Sequence, residues 1–151
     1  TVYAAKGGAV ASASVDLSNT YLDWARRNFA LNGLDLKRHR IVRADAGQYL
    51  ADAAGKGERF DLIVLDPPSF SNSKRMQGML DVQRDHASLI AACMAILAPG
   101  GELFFSTNLR RFKPDQEALA QWRVEDISGR TIPEDFRNRR IHHCYRITRP
   151  S

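Results

Sequence analysis

Two periods of apolar residues alternate along this chain. Phe60-Asp61-Leu62-Ile63-Val64-Leu65-Asp66 is an almost unbroken apolar run, of the length of a buried strand. Tyr21, Leu22, Ala25 and Phe29 instead recur at helical spacing, which predicts a helix over 18–32 with these four facing a core. Ser18 stands where an N-cap belongs and Asn32-Gly33 where a helix stops. The same reading predicts helices over 46–54, 82–97 and 116–121. It predicts strands over 9–16, 40–43, 60–66 and 102–107, with two late strands over 122–128 and 144–148 as an antiparallel pair. Pro99-Gly100-Gly101 separates the long helix from the strand after it.

Strands that alternate with helices predict an α/β fold, mostly parallel, with the sheet covered on both faces. Residues 55–57 and 71–78 read as loops, and the sequence holds no internal repeat. Thr1 to Lys6 reads as a helix closed by Gly7-Gly8. A helix at the first residue carries the expectation that more chain precedes it.

The run at 60–66 ends in Asp66-Pro67-Pro68-Ser69-Phe70. Neither proline has an N–H for a ladder, and the first forces Asp66 to be extended. The chain therefore leaves its strand stiffly, with a carboxylate and carbonyls turned outward. Open α/β sheets bind ligands at that end of their strands.

Composition changes this picture little. The chain is 44% hydrophobic and 26% charged, ordinary for a globular protein of 151 residues. No apolar stretch is long enough to span a membrane, and the first residues lack the pattern of a secretion signal. Two cysteines, Cys93 and Cys144, fit a reducing compartment, so a cytoplasmic location is expected. The net charge of +5 favours a polyanionic partner.

Two more carboxylates close predicted strands just before helices. Asp16, followed by Leu17-Ser18, stands where dinucleotide folds hold ribose hydroxyls. Asp45, followed by Ala46, stands where an adenine amino group is held; its plain reading is a helix N-cap. With Asp66 they would form a line of acids at three successive strand ends.

Ser14-Val15-Asp16-Leu17-Ser18, Arg43-Ala44-Asp45-Ala46 and Asp66-Pro67-Pro68-Ser69-Phe70 resemble successive motifs of class I S-adenosylmethionine-dependent methyltransferases, which are Rossmann-like. Residues 71–76, Asp81-Val82-Gln83-Arg84-Asp85-His86, 131–136 and 140–144 resemble the carboxy-terminal half of the bifunctional bacterial guanine methyltransferases of large-subunit ribosomal RNA. The resemblance implies S-adenosyl-L-methionine as cofactor, held by Asp16, Leu17, Ser18, Asp45, Ala46 and Asp66. It implies methylation of guanine N7 in 23S ribosomal RNA. It also implies one methyltransferase domain over 1–151, N-terminally incomplete and linked to upstream methyltransferase and RNA-binding domains. The family's first strand and Gly-rich loop would lie before Thr1. Adenine-amine enzymes carry their aromatic directly after Pro-Pro, whereas here Ser69 intervenes before Phe70.

Guanine N7 carries a lone pair and no proton, so its methylation needs alignment and a suitable field but no base. Asp66, Pro67, Pro68 and Phe70 are the candidate catalytic wall. Phe70 is either a stacking platform for an extruded base or a core anchor. Guanine O6 needs a donor. Ser71, Asn72, Ser73, Lys74 and Arg75 form a donor-rich loop beside the wall. Ser71, Asn72, Lys74, Arg75, Arg84, Arg110 and Arg111 are the candidate RNA contacts, with Lys113, Arg137, Arg139 and Arg140 as further basic residues. Cys93 falls mid-helix on a predicted buried face, which disfavours cytosine-carbon methylation through a cysteine nucleophile. His142-His143 point to opposite faces of a strand and make a poor metal pair, so no metal is expected. The alternatives are a noncatalytic RNA-binding module and a methyltransferase of the same fold acting on another base or an exocyclic amine.

Overall fold

The computed structural model describes residues 1–71, 79–136 and 141–150. Contacts divide the chain into two compact units, residues 1–49 and 50–151.

The first unit starts with α1 (Val2–Lys6), capped at its carboxyl end by Gly7. Strands β1 (Ser12–Asp16) and β2 (His39–Arg43) pair in parallel, from Ser12 opposite His39 to Asp16 opposite Arg43. Helix α2 (Asn19–Leu31) connects them. Its core line is Leu22 and Phe29, two turns apart and both buried. Tyr21, expected in that core, is exposed; it sits one position off the line and meets Trp24 edge-on at 5.6 Å. Gly33 ends the helix at φ +67°, a conformation that favours glycine. β1 starts at Ser12 and not at residue 9. The Ala9 N–H bonds back to the Ala4 carbonyl, and ladder partners begin only at His39.

Helix α3 (Ala46–Gly55) crosses from the first range into the second. The second unit carries β3 (Phe60–Leu65), β4 (Phe70–Ser71), β5 (Leu80–Asp81), α4 (Val82–Ile96), β6 (Leu97–Thr107), α5 (Gln116–Leu119), β7 (Arg123–Asp126), a 3-10 turn (Ser128–Arg130) and β8 (His143–Thr148). Its main sheet has the order β3-β6-β8-β7. β3 and β6 are parallel, while β8 runs antiparallel to β6 and to β7, so the late antiparallel pair forms as expected. The core lies between α4 and this sheet: Val82, Ile90, Cys93 and Met94 on the helix, Leu103, Phe105 and Ile147 on the strands.

Further boundaries in this unit differ from the sequence reading. β6 is paired from Leu97, not Glu102, and residues 98–101 bulge between two paired stretches because Pro99 has no N–H to give. Gly101 permits the return: a Cβ there would stand 2.9 Å from the Asp61 carbonyl oxygen. β4 and β5 pair antiparallel, Phe70 opposite Asp81 and Ser71 opposite Leu80, at the two ends of the stretch read as a loop. β7 ends at Asp126, where the carboxylate turns back to take the Ser128 N–H and hydroxyl. β3 also differs in burial: it ends its sheet, leaving Val64 69% exposed. No helix of the described residues is long and apolar enough to cross a membrane.

Candidate functional site

In the first unit, parallel pairing brings two carboxylates to one sheet edge. Asp16 closes β1 opposite Arg43, and Asp45 follows Arg43 by two residues. The Ala44 N–H donates to the Asp16 carbonyl at 3.2 Å, extending the pairing one step. Asp16 Oδ1 accepts the Ser18 N–H at 2.7 Å, and Ser18 Oγ caps α2 by accepting the Tyr21 N–H. Asp45 Oδ1 accepts the Gln48 N–H at 3.1 Å, the helix-capping role of its plain reading. Each acid thus keeps one oxygen turned from its own turn. Asp16, Leu17, Ser18 and Asp45 are half-buried, and Ala46 is exposed. Gly47 leaves room here, since a Cβ would stand 3.2 Å from Asp45 Oδ1. Two carboxylate acceptors on neighbouring parallel strand ends fit the hydroxyl and amino donors of a nucleoside.

In the second unit, β3 and β6 end together, and the segments after them are cross-linked. Ser106 Oγ donates to Asp66 Oδ1 at 2.7 Å. Ser69 Oγ donates to Asn108 Oδ1 at 2.7 Å. The Val82 N–H donates to the Ser69 carbonyl at 3.2 Å, joining the Pro-Pro segment to the start of α4. Asp66 and Pro68 are exposed, Pro67 half-buried. Phe70 is 61% exposed, which removes the core-anchor reading and leaves its ring face accessible.

A second set of bonds fixes the segment after β6. His86 is buried against Phe105 and Phe112. Its Nε2 accepts the Asp115 N–H at 2.9 Å, so Nδ1 carries the proton and donates to the Val82 and Gln83 carbonyls. Gln83 grips the same segment twice: Nε2 donates to the Lys113 carbonyl at 2.8 Å, and Oε1 accepts the Lys113 N–H at 2.9 Å. Around the buried anchor Phe112, Arg110, Arg111 and Lys113 are exposed. Arg84 is engaged otherwise: it ion-pairs with Asp85 at 2.6 Å and donates to the Met79 carbonyl. That pairing holds the Asp85 carboxyl below the usual carboxylate range.

Ser71 is half-buried in β4. Asn72, Ser73, Lys74 and Arg75, with Arg137, Arg139 and Arg140, lie outside the described residues. Burial pushes the Cys93 thiol up to about 12, which leaves it un-ionised at neutral pH and a poor nucleophile. Ser69, Gln83, His86, Ser106 and Asn108 were not assigned as site residues from sequence. Their partners are 29 to 40 residues away in the chain, beyond any local spacing rule.

The family model for S-adenosylmethionine-dependent methyltransferases matches residues 1–127. Over 151 residues the chain is 60% identical to ribosomal RNA large subunit methyltransferase K of Neisseria meningitidis, covering 100% of this chain and 43% of that protein. It is 56% identical to ribosomal RNA large subunit methyltransferase K/L of Allochromatium vinosum, covering 99% of this chain and 20% of that protein. The chain therefore spans less than half the length of these curated relatives. Among solved structures, the SMU.776 methyltransferase, in complex with S-adenosylhomocysteine, superposes with a TM-score of 0.84 at 26% identity, over 97% of this chain and 41% of that one. A ribosomal protein L11 methylase from Lactobacillus delbrueckii subsp. bulgaricus shares the fold, with a TM-score of 0.67 at 21% identity, over 99% of this chain and 64% of that one.

Proposed function

The chain belongs to the S-adenosylmethionine-dependent methyltransferase family, and from that premise we propose that it methylates guanine N7 in large-subunit ribosomal RNA. The observation that carries this reading is the cross-linked wall: Asp66 held by the Ser106 hydroxyl, with exposed Phe70 four residues on. The named activity of the Neisseria and Allochromatium relatives supports the RNA class. In this reading the chain acts in the cytoplasm, as one methyltransferase domain of a longer polypeptide.

The Asp16 and Asp45 carboxylates would hold the nucleoside part of the cofactor. When bound, the cofactor supplies a methyl group on a positively charged sulfur; the N7 lone pair takes it, leaving a positive purine and a neutral thioether. Asp66 takes no proton, because N7 has none. Its carboxylate, oriented by Ser106, faces the positive charge that the ring acquires. Phe70 stacks on the extruded base, and Arg110, Arg111 and Lys113 contact phosphates.

The test is mass mapping of large-subunit ribosomal RNA from cells lacking the gene, alone and complemented with wild type or Asp66→Asn. One guanine should lose an N7 methyl group in the null strain, regain it with wild type, and regain little with the variant. A lost methyl on an exocyclic amine or on another base would overturn the reading.

A further inference from the structure

A guanine presented at N7 also presents O6, and both are acceptors. A site that prefers guanine to adenine there needs a fixed donor, because adenine carries an amino group in place of O6. The donor-rich loop singled out from sequence lies mostly outside the described residues, but the wall offers another group. Ser69 has one hydroxyl proton and gives it to Asn108 Oδ1. In this structure the Asn108 carboxamide stands with its oxygen toward Ser69 and its NH2 group away from it. Asn108 is exposed, and among the described residues its NH2 group has no acceptor. An exposed asparagine needs no such orientation for folding, since water satisfies it either way.

The neighbouring rung places this donor. β3 and β6 are parallel, and Ser106 holds Asp66 one step before the Ser69–Asn108 bond. The two segments therefore present a carboxylate acceptor and a carboxamide donor along one edge. Gln83 and His86 hold the chain just beyond Asn108, at Lys113 and Asp115. The donor is thus carried on a braced segment, as selectivity by a hydrogen bond requires.

We propose that Asn108 is the specificity-determining residue of this site: its outward N–H donates to O6 of the purine whose N7 is methylated, and Ser69 sets its polarity. The proposal rests on the guanine N7 reading above. It also gives a task to the serine that separates Pro68 from Phe70.

The experiment uses the full-length protein and large-subunit ribosomal RNA assembled with guanine, 2-aminopurine or adenine at the position that wild type methylates. 2-Aminopurine keeps N7 and lacks O6. Asn108→Ala should lower kcat/KM and RNA affinity about tenfold on the guanine RNA and leave both unchanged on the 2-aminopurine RNA. Ser69→Ala, which leaves Asn108 in place, should show the same pattern at several-fold, so the test survives if the first variant is unstable. Asn108→Asp, an acceptor where wild type has a donor, should turn the preference from guanine toward adenine. Equal losses on all three RNAs would make Asn108 merely structural, and an unchanged guanine rate would dismiss it; either result overturns the proposal. An amide standing the other way would accept from the adenine amino group, so Asn108→Ala would lose on adenine and not on guanine, which also overturns it. Failure of the underlying reading shows separately, in the wild-type arm, as a methyl group mapped away from N7. An N7 methyl with no Asn108 effect removes this proposal alone.

Discussion

The two sheet edges are built by different means. At the end of β1 and β2, each acid is held by a backbone N–H two or three residues further on: Asp16 by Ser18, Asp45 by Gln48. At the end of β3 and β6, each polar side chain is held by another from a distant segment: Asp66 by Ser106, Ser69 by Asn108. At the first edge parallel pairing brings the two acids together, but each carboxylate is oriented by its own local turn. The second exists only when strands 40 residues apart are in register. A change in the first should therefore stay local, whereas a change in the second should spread to the segments it joins.

The largest expected effect is at Asp66. Asp66→Asn keeps shape and hydrogen-bonding capacity but removes the charge, and should slow single-turnover methyl transfer about a hundredfold. The loss should be uniform across pH. A wild-type acidic limb that vanishes in the variant would make Asp66 a base and break the N7 reading.

His86→Ala tests how far the distal bracing reaches. It opens a cavity beside Phe105 and Phe112 and leaves the Asp115 N–H without its partner. Denaturant unfolding should show a loss of about 2–4 kcal/mol. RNA affinity should fall as well, because the Arg110–Lys113 segment loses its anchor. Unfolding without any change in RNA affinity would separate the brace from the RNA contacts.

Asp16→Ala should act only on the first edge. Calorimetry should show cofactor binding weakened by about 1–3 kcal/mol, with RNA affinity unchanged. Unchanged cofactor affinity would remove Asp16 from that role.

A smaller effect is expected from acid. The bond from Arg146 lowers the Glu102 pKa in the folded chain, and the Ser128 hydroxyl and N–H lower that of Asp126. Both groups therefore stay charged to lower pH when folded than when unfolded. Their stabilisation is complete above the ordinary carboxylate range and disappears as pH falls through the folded values. Glu102→Gln should flatten the acid side of a stability–pH curve. An unchanged curve would show the Arg146 pairing to be inert, as exposed pairs often are.

The smallest change is at the rim. Arg111→Ala should reduce the salt dependence of RNA binding by about one counterion, a slope change of roughly 0.7–0.9, without altering base preference. A change in base preference would move Arg111 from phosphate contact to base reading.

Much of the fold was legible in sequence because its cues are local. Apolar period, Ser18 as a cap, Gly33 as a stop and Pro67-Pro68 as an exit act through neighbours within a few residues. The motif acids were legible for the same reason, since each ends a strand and precedes a helix. Periodicity misjudged Tyr21, because helical spacing defines a face about a turn wide while burial depends on what packs there; Leu22 and Phe29 took the buried line. It also missed the bulge at residues 98–101, which depends on how close Gly101 comes to the Asp61 carbonyl.

By itself, then, the sequence determined the α/β alternation, the strand-end acids and the stiff Asp-Pro-Pro exit, because each is a property of a few consecutive residues. The tertiary structure alone decided that Phe70 is exposed, that His86 and Gln83 grip the segment after β6, and that Ser69 turns the Asn108 amide. The grips and the amide bond are pairings across 29 to 39 residues, and only a folded chain sets such partners within hydrogen-bond reach.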